Sequence, residues 1–236
     1  MQASSLRAHL PRLSDGVVRC RGCLGALGLS AEAGLCEHCW EGLLPLPEPR
    51  CARCALTHDE EEACPEPVGW TCGDALWDYH GGRPALGALL VPAIKDGELG
   101  WKAALLRRVS QASLPQWAQE ANLITCAPTT FPRRWHRGFD LAEETGQLLG
   151  RRLALPFART LQKSLFIGRQ AERTESERRR LPRKAVALRR NATIEGRVVL
   201  LVDDVWTTGT TLLRCGQALT AGGAAEIRVL TLFRSL

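Results

Sequence analysis

The sequence predicts an α/β protein, a parallel sheet flanked by helices, with a small zinc-ribbon module at its N-terminal end. Three observations carry this. An unbroken apolar run, Val198 to Val202, drives into two adjacent carboxylates and a hydroxyl-rich loop within RVVLLVDDVWTTGTTLL. Eight of the ten cysteines fall between Cys20 and Cys72. Helix-spaced and strand-like segments then alternate as far as residue 236. With 236 residues, 45% of them hydrophobic, the chain can bury one good-sized core beside a small accessory module. The expected division is a Cys-rich zinc-binding module over 1–72 and an α/β domain over 73–236. The opening MQASSLRAHLPRLSDG lacks the continuous apolar segment of a signal peptide, and no stretch approaches the length of a membrane span. Cytoplasmic localisation without membrane insertion is therefore expected.

In the N-terminal module, Cys20-x-x-Cys23 and Cys36-x-x-Cys39 are separated by twelve residues. Two such knuckles offer four thiolates to one tetrahedral zinc, and a closed four-ligand site stabilises a fold rather than doing chemistry. Disulfides fit a reducing compartment less well. A third pair, Cys51-x-x-Cys54, is followed by His58, Cys64 and Cys72 at irregular spacing, with the acidic run at 59–62 between. Whether these form a second zinc site stays open. Cys126 and Cys215 stand in apolar contexts and read as buried thiols.

The core elements follow in order. Residues 84–121 show helical spacing, including Leu86, Leu89, Leu90 and Ile94. NLITCAP at 122–128 reads as a short buried strand stopped by Pro128, and a helix spans Leu141 to Leu153. Arg159 to Asn191 is polar and poorly periodic, which suggests a loop or hood able to close over a site. A strand through Val198, a leucine-spaced helix stopped at Gly222-Gly223 and a last strand, AEIRVLTLF, complete the domain.

The unbroken run from Val198 suits a strand covered on both faces, which puts Asp203 and Asp204 at its carboxyl end, where open α/β sheets bind ligands. The loop that follows feeds a helix N-terminus. Free N–H groups, the helix dipole and the hydroxyls of Thr207, Thr208, Thr210 and Thr211 make a phosphate cradle, with Gly209 allowing close backbone approach. Two carboxylates beside a phosphate would repel it. A ligand with both a phosphate and vicinal hydroxyls removes the conflict, since carboxylates accept from hydroxyls, and ribose 5-phosphate carries both. A Walker-type loop would need Gly-Lys-Ser/Thr, which is absent, and a phospho-accepting receiver domain would need about a hundred further residues.

VVLLVDDVWTTGTT resembles the signature of type I phosphoribosyltransferases for phosphoribosyl pyrophosphate (PRPP). The resemblance implies PRPP binding by Asp203, Asp204, Val205, Thr207, Thr208, Gly209, Thr210 and Thr211, with the two acids on the ribose 2′ and 3′ hydroxyls as the catalytic pair. It also implies Mg2+ bound with PRPP. Beyond the signature, the chain is similar nearly end to end to the ComF (competence protein F) family, which joins an N-terminal zinc finger to a phosphoribosyltransferase domain. AIKDGEL, CAPTTFPRRWHRGFDLAEE and RQAERTESERRR carry that similarity. The chain departs from it at Asp140-Leu141, at Leu181 and in the isolated Cys64 and Cys72, which bears on the acceptor and on the second zinc site.

Charge is divided along the chain. Residues 20–80 hold 3 basic and 11 acidic side chains, and residues 131–191 hold 16 basic and 6 acidic, net charges of −8 and +10. The basic segment suits a polyanionic partner. Arg133, Arg134 and Arg137 with Gly138 follow a strand end and suit the pyrophosphate moiety, because guanidinium forks match its oxygens. Lys95, Gln170 and Arg178 are weaker candidates for the same site. Two functions of different class result. One is phosphoribosyl transfer from PRPP to an acceptor the sequence does not identify. The other is a PRPP-regulated accessory protein that binds single-stranded DNA and works with competence and DNA-uptake proteins. A zinc-ribbon adaptor for protein partners is a third.

Overall fold

The computed structural model describes residues 18–28, 30–58, 64, 69–129, 138–163 and 185–236. The first elements belong to the cysteine module, which contains one short helix, α1 (Glu37–Glu41). The domain behind it runs β1 (Cys72–Asp78), α2 (Leu86–Lys95), α3 (Leu99–Gln111), a 3-10 turn (Gln116–Glu120), β2 (Leu123–Cys126) and α4 (Leu141–Leu153). It continues with β3 (Leu161–Lys163), β4 (Val186–Leu188), β5 (Val198–Trp206), α5 (Thr210–Ala221) and β6 (Glu226–Arg234).

Four strands form one parallel sheet in the order β1-β6-β5-β2. The apolar run of β5 is central, and Val199, Leu200, Leu201 and Val202 are all fully buried, which is why it shows no alternation. Its side chains feed two cores. Leu200 and Val202 join Leu90, Ile94, Leu105 and Leu149 from α2, α3 and α4 on one face. Val199 and Leu201 join Leu212, Cys215 and Leu219 of α5 on the other, with Leu161 and Val186 from the β3–β4 pair. Each Leu or Val buried in this way contributes about 1.5–3 kcal/mol relative to exposure.

Local chemistry sets the helix ends. The turn after α2 passes through Gly97 at φ 110°, a conformation that only glycine adopts easily. At the start of α4, the Asp140 carboxylate accepts from the N–H groups of Ala142 and Glu143, and Arg151 and Arg152 sit at the negative end of the dipole.

Two features depart from the sequence expectations. CGDALWD, not anticipated as a strand, forms β1 at the sheet edge, where the N–H of Gly73 reaches the carbonyl of Ala52 and that of Asp78 reaches Leu44. The segment Arg159–Asn191, expected as a hood, begins and ends in a two-stranded antiparallel sheet, β3 with β4. Three-residue strands are too short for a period to appear in sequence. Residues 164–184, with Gln170 and Arg178, lie outside the described residues.

The cysteine module packs onto both layers. Its first part places Cys20, Leu35, Cys39 and Trp40 in the core with α2 and α3. Arg21 pairs with Glu98 at 2.7 Å and stacks over Trp101, whose Nε1 donates to the Ala33 carbonyl. The second part, with Cys54, Ala55 and Trp70, joins the core beneath α5.

Candidate phosphate loop and zinc sites

The carboxyl end of β5 delivers the two acids, and the next residues turn directly into α5. Gly209 takes φ 66° at the helix N-cap and lets the chain reverse, while the N–H of Leu213 closes the first turn on the Gly209 carbonyl. No side-chain hydrogen bond caps this terminus, which leaves its first N–H groups without a side-chain acceptor. The Thr208 and Thr210 hydroxyls are hydrogen-bonded to each other at 2.9 Å, and Thr211 lines the adjoining cavity. Threonine hydroxyls and a helix N-terminus without a side-chain cap thus lie together in one short loop.

Asp203 and Asp204 are both partly buried. Their carboxylates accept from the backbone, Asp203 from the Asp204 N–H at 2.9 Å and Asp204 from the Val205 N–H at 2.8 Å. Desolvation of the Asp203 carboxyl, then repulsion from Asp204, push it well above the usual carboxylate range, while Lys95 acts in the other direction. Lys95, in the last turn of α2, reaches across to Asp204 with Nζ 2.5 Å from Oδ2. Burial also raises the Asp140 carboxyl, against the N–H of Glu143 and the Thr129 hydroxyl.

These groups share a cavity of about 240 Å3 lined by Lys95, Thr129, Asp140, Lys163, Asp203 and Asp204 among others. A second opening, about 490 Å3, runs from Asp204 and Thr207 past Lys95 to Tyr79. Asp140, Lys163 and Thr129 are polar lining residues that the sequence reading did not select for the site. Asp140 is legible as a helix cap, but its approach to Asp204 depends on the parallel pairing of β2 with β5. Of the predicted pyrophosphate residues, Lys95 faces the acids and Gly138 is exposed at φ 74°. Arg133, Arg134 and Arg137 lie outside the described residues.

The cysteine module contains two metal-competent clusters. Ligand atoms of Cys20, Cys23, Cys36 and Cys39 lie within 4.8 Å of one another, and so do those of Cys51, Cys54, His58 and Cys64. Two sulfur pairs in the first cluster, Cys20 with Cys39 and Cys23 with Cys36, are 3.5 and 3.7 Å apart. Zinc–sulfur bonds of about 2.3 Å in a tetrahedron give an edge of about 3.8 Å, so the thiols already stand nearly at ligand spacing.

Both knuckles share one backbone pattern. The residue after Cys23 and after Cys54 takes positive φ, Leu24 at 62° and Ala55 at 58°. The N–H of Leu24 returns to the Cys20 carbonyl as that of Ala55 does to Cys51, and the N–H groups of Gly22 and Arg53 donate to the Cys20 and Cys51 sulfurs at 3.3 and 3.4 Å. Such donors stabilise thiolate. Burial opposes ionisation at Cys20, yet the N–H groups of Cys23, Cys36 and Gly22 outweigh it and bring the thiol to about 6. Burial likewise opposes it at Cys51, and the N–H groups of Arg53 and Cys54 with His58 bring that thiol to about 7. Of the three candidates the sequence offered, His58 and Cys64 are the ones that cluster with Cys51 and Cys54. Cys72 lies apart as the first residue of β1, its thiol pushed up to about 11 by burial.

Residues 146–236 match the phosphoribosyl transferase domain family, and residues 10–67 match the double zinc ribbon domain. The DNA utilization protein YhgH of Salmonella typhimurium is 28% identical over 219 residues, covering 89% of this chain and 88% of that protein. Its counterpart in Escherichia coli K12 is 31% identical over 139 residues, and the match spans 58% of that protein. Among solved structures, a glutamine PRPP amidotransferase from B. subtilis aligns with 56% of this chain at 23% identity and a TM-score of 0.38, and only 26% of that longer chain is covered. A purine phosphoribosyltransferase from Pyrococcus horikoshii aligns with 57% of the chain and 83% of its own, at 14% identity and a TM-score of 0.36.

Proposed function

We propose, for a chain that has the ComF-family architecture of a double zinc ribbon followed by a phosphoribosyl transferase domain, that it binds PRPP between Asp203 and the N-terminus of α5. One observation carries this reading. A pair of carboxylates at the end of β5 is followed without interruption by an uncapped, glycine-turned helix N-terminus rich in threonine. Acceptors for vicinal hydroxyls and donors for a phosphate thereby stand one turn apart, as a ribose 5-phosphate requires.

In this reading the Thr207–Thr211 loop holds the 5′-phosphate, and Asp203 and Asp204 accept from the ribose hydroxyls. Lys95, paired with Asp204, stands beside the opening toward Tyr79 and is available to the pyrophosphate. Arg133, Arg134 and Arg137 are proposed to share that anion. Mg2+ bound with PRPP supplies Lewis-acid neutralisation of the pyrophosphate. If transfer occurs, the bond from C1 of the ribose to pyrophosphate breaks as cationic character develops, and the two carboxylates stabilise that charge. The double zinc ribbon is structural: Cys20, Cys23, Cys36 and Cys39 would hold one zinc, and Cys51, Cys54, His58 and Cys64 a second, with all four positions of each filled by protein.

Titration calorimetry with PRPP and Mg2+ tests the site. Charge-assisted hydrogen bonds are worth about 1.5–3 kcal/mol, so Asp→Asn at either position should weaken binding roughly 10- to 100-fold. Wild-type affinity in a folded Asp203→Asn, Asp204→Asn double variant sinks the reading. Release of pyrophosphate across a panel of acceptors then separates an enzyme from a PRPP sensor. A second reading, binding of single-stranded DNA, is favoured by the net +10 over residues 131–191 and by the printed name of the relatives, DNA utilization protein.

A further inference from the structure

The second knuckle is joined to the phosphate loop by a continuous set of hydrogen bonds. Three consecutive carbonyls of the Cys51–Cys54 turn are each held by the α/β domain. The Ala52 carbonyl accepts from the Gly73 N–H at 2.9 Å, Arg53 from Trp70 Nε1 at 2.7 Å, and Cys54 from Arg234 Nε at 3.2 Å. Arg234, at the end of β6, is 1% exposed. Its Nη1 donates to the carbonyl of Trp206 at 3.0 Å and to that of Thr207, the first residue of the phosphate loop.

Trp206 is the keystone of this contact. The Arg234 guanidinium stacks 4.6 Å from its ring, and Trp70 meets it edge-to-face at 5.2 Å. A Cβ on Gly73 would stand 2.9 Å from the Arg53 carbonyl and 3.0 Å from the Trp206 ring, so strand, knuckle and loop touch without clearance. A buried guanidinium is costly unless its donors find acceptors, and here those acceptors come from both the knuckle and the loop. The shape of the knuckle therefore decides where Arg234 sits, and Arg234 decides where the Thr207 carbonyl sits.

We infer that Arg234 and Trp70 are positioning residues that couple metal at the Cys51–Cys54 knuckle to anion binding at the Thr207–Thr211 loop. The inference rests on the reading of that loop as the PRPP phosphate site. Metal gathers Cys51, Cys54, His58 and Cys64 and fixes the carbonyls of the turn, and Arg234 then holds the loop in its anion-binding conformation. Linkage makes the effect mutual: PRPP bound at the loop must tighten zinc at this knuckle by the same factor. Among the described residues the first knuckle instead packs against the start of α3, through Arg21 and Trp101.

Zinc release to a chelating dye, followed on the full chain loaded with two zincs, tests this. With saturating PRPP and Mg2+, one of the two release phases should slow about five- to tenfold, the lower range for coupled sites, and the other should not. Trp70→Phe keeps an aromatic ring against Trp206 and deletes the N–H to Arg53 together with part of the indole. It should retain two zincs, reduce the protection to twofold or less and weaken PRPP about threefold or more in calorimetry. Arg234→Lys should act in the same direction more strongly, and Trp70→Phe carries the test if that variant does not fold. PRPP binding with unchanged release of both zincs, or equal slowing of both, overturns the coupling and leaves the PRPP site standing. No PRPP binding by the wild type overturns both.

Discussion

Asp203 is held where an ionised carboxylate costs stability. Desolvation and the neighbouring charge of Asp204 raise its folded-state pKa above the unfolded value. The sign follows: a carboxyl raised on folding is fully tolerated below its unfolded pKa, and stability is lost as pH rises through the folded one. Asp203→Asn should therefore raise the melting temperature at pH 8 while it weakens PRPP binding. A gain of about 1 kcal/mol moves Tm by about 2–4 °C in a chain of this size. The gain should shrink as pH falls toward and below about 4, where the wild-type carboxyl becomes neutral in both states. Calorimetric scans at pH 8 and pH 5 check this, and a variant less stable at both would mean that the Asp203 carboxylate is needed for the fold. Lys95 belongs to the same balance, since its contact with Asp204 offsets part of the repulsion between the two acids.

At the level of elements, the two knuckles have the same backbone but different neighbours. Cys36 lies at the N-cap of α1, and its N–H donates to the Cys20 sulfur, so Cys36→Ser removes a ligand and leaves the cluster with three. Metal analysis should then find zinc falling from two to one per chain, with the far-UV signal of the α/β core largely kept, because the second knuckle packs in a separate core. Zinc unchanged at two would refute the ligand assignment. Sequence made the first knuckle legible because both of its pairs repeat at Cys-x-x-Cys spacing. For the second, the sequence offered His58, Cys64 and Cys72 beside Cys51 and Cys54 without choosing among them, because they follow no repeat and an acidic run interrupts them. β5 was legible since five apolar residues before two acids have few other uses. β1 was not, because CGDALWD mixes an aspartate and a glycine into its first half, and their reasons are the Arg50 guanidinium, 2.9 Å from Asp74, and the crowded knuckle beside Gly73. Nor was Arg234, which reads in FRSL like any solvated arginine and is instead almost wholly buried. Tertiary neighbours, which no local pattern records, decide such positions.

Taken as a molecule, the chain separates its charges, with net −8 over residues 20–80 and +10 over 131–191. If the basic segment holds single-stranded DNA, affinity should rest on phosphate contacts and be indifferent to base sequence. Four such contacts would give about a hundredfold loss between about 50 and 200 mM salt. Fluorescence anisotropy with oligonucleotides of different sequence measures this, and no binding at about 50 mM salt removes the DNA reading.

The pairing of β1 with β6 also orders events during synthesis. Cys72 lies opposite Arg228, so the first strand of the sheet has no neighbour until about 156 further residues have been made. At about 5–20 residues per second, that is an interval of roughly 8–30 s on the ribosome. The ribbons, whose ligands all lie within 45 positions of one another from Cys20 to Cys64, can capture metal and close well before it ends. Leu44 and Ala52, which bond to β1 in the finished sheet, are by then already made, so the nascent strand can be shielded along one edge while its partner is still being translated.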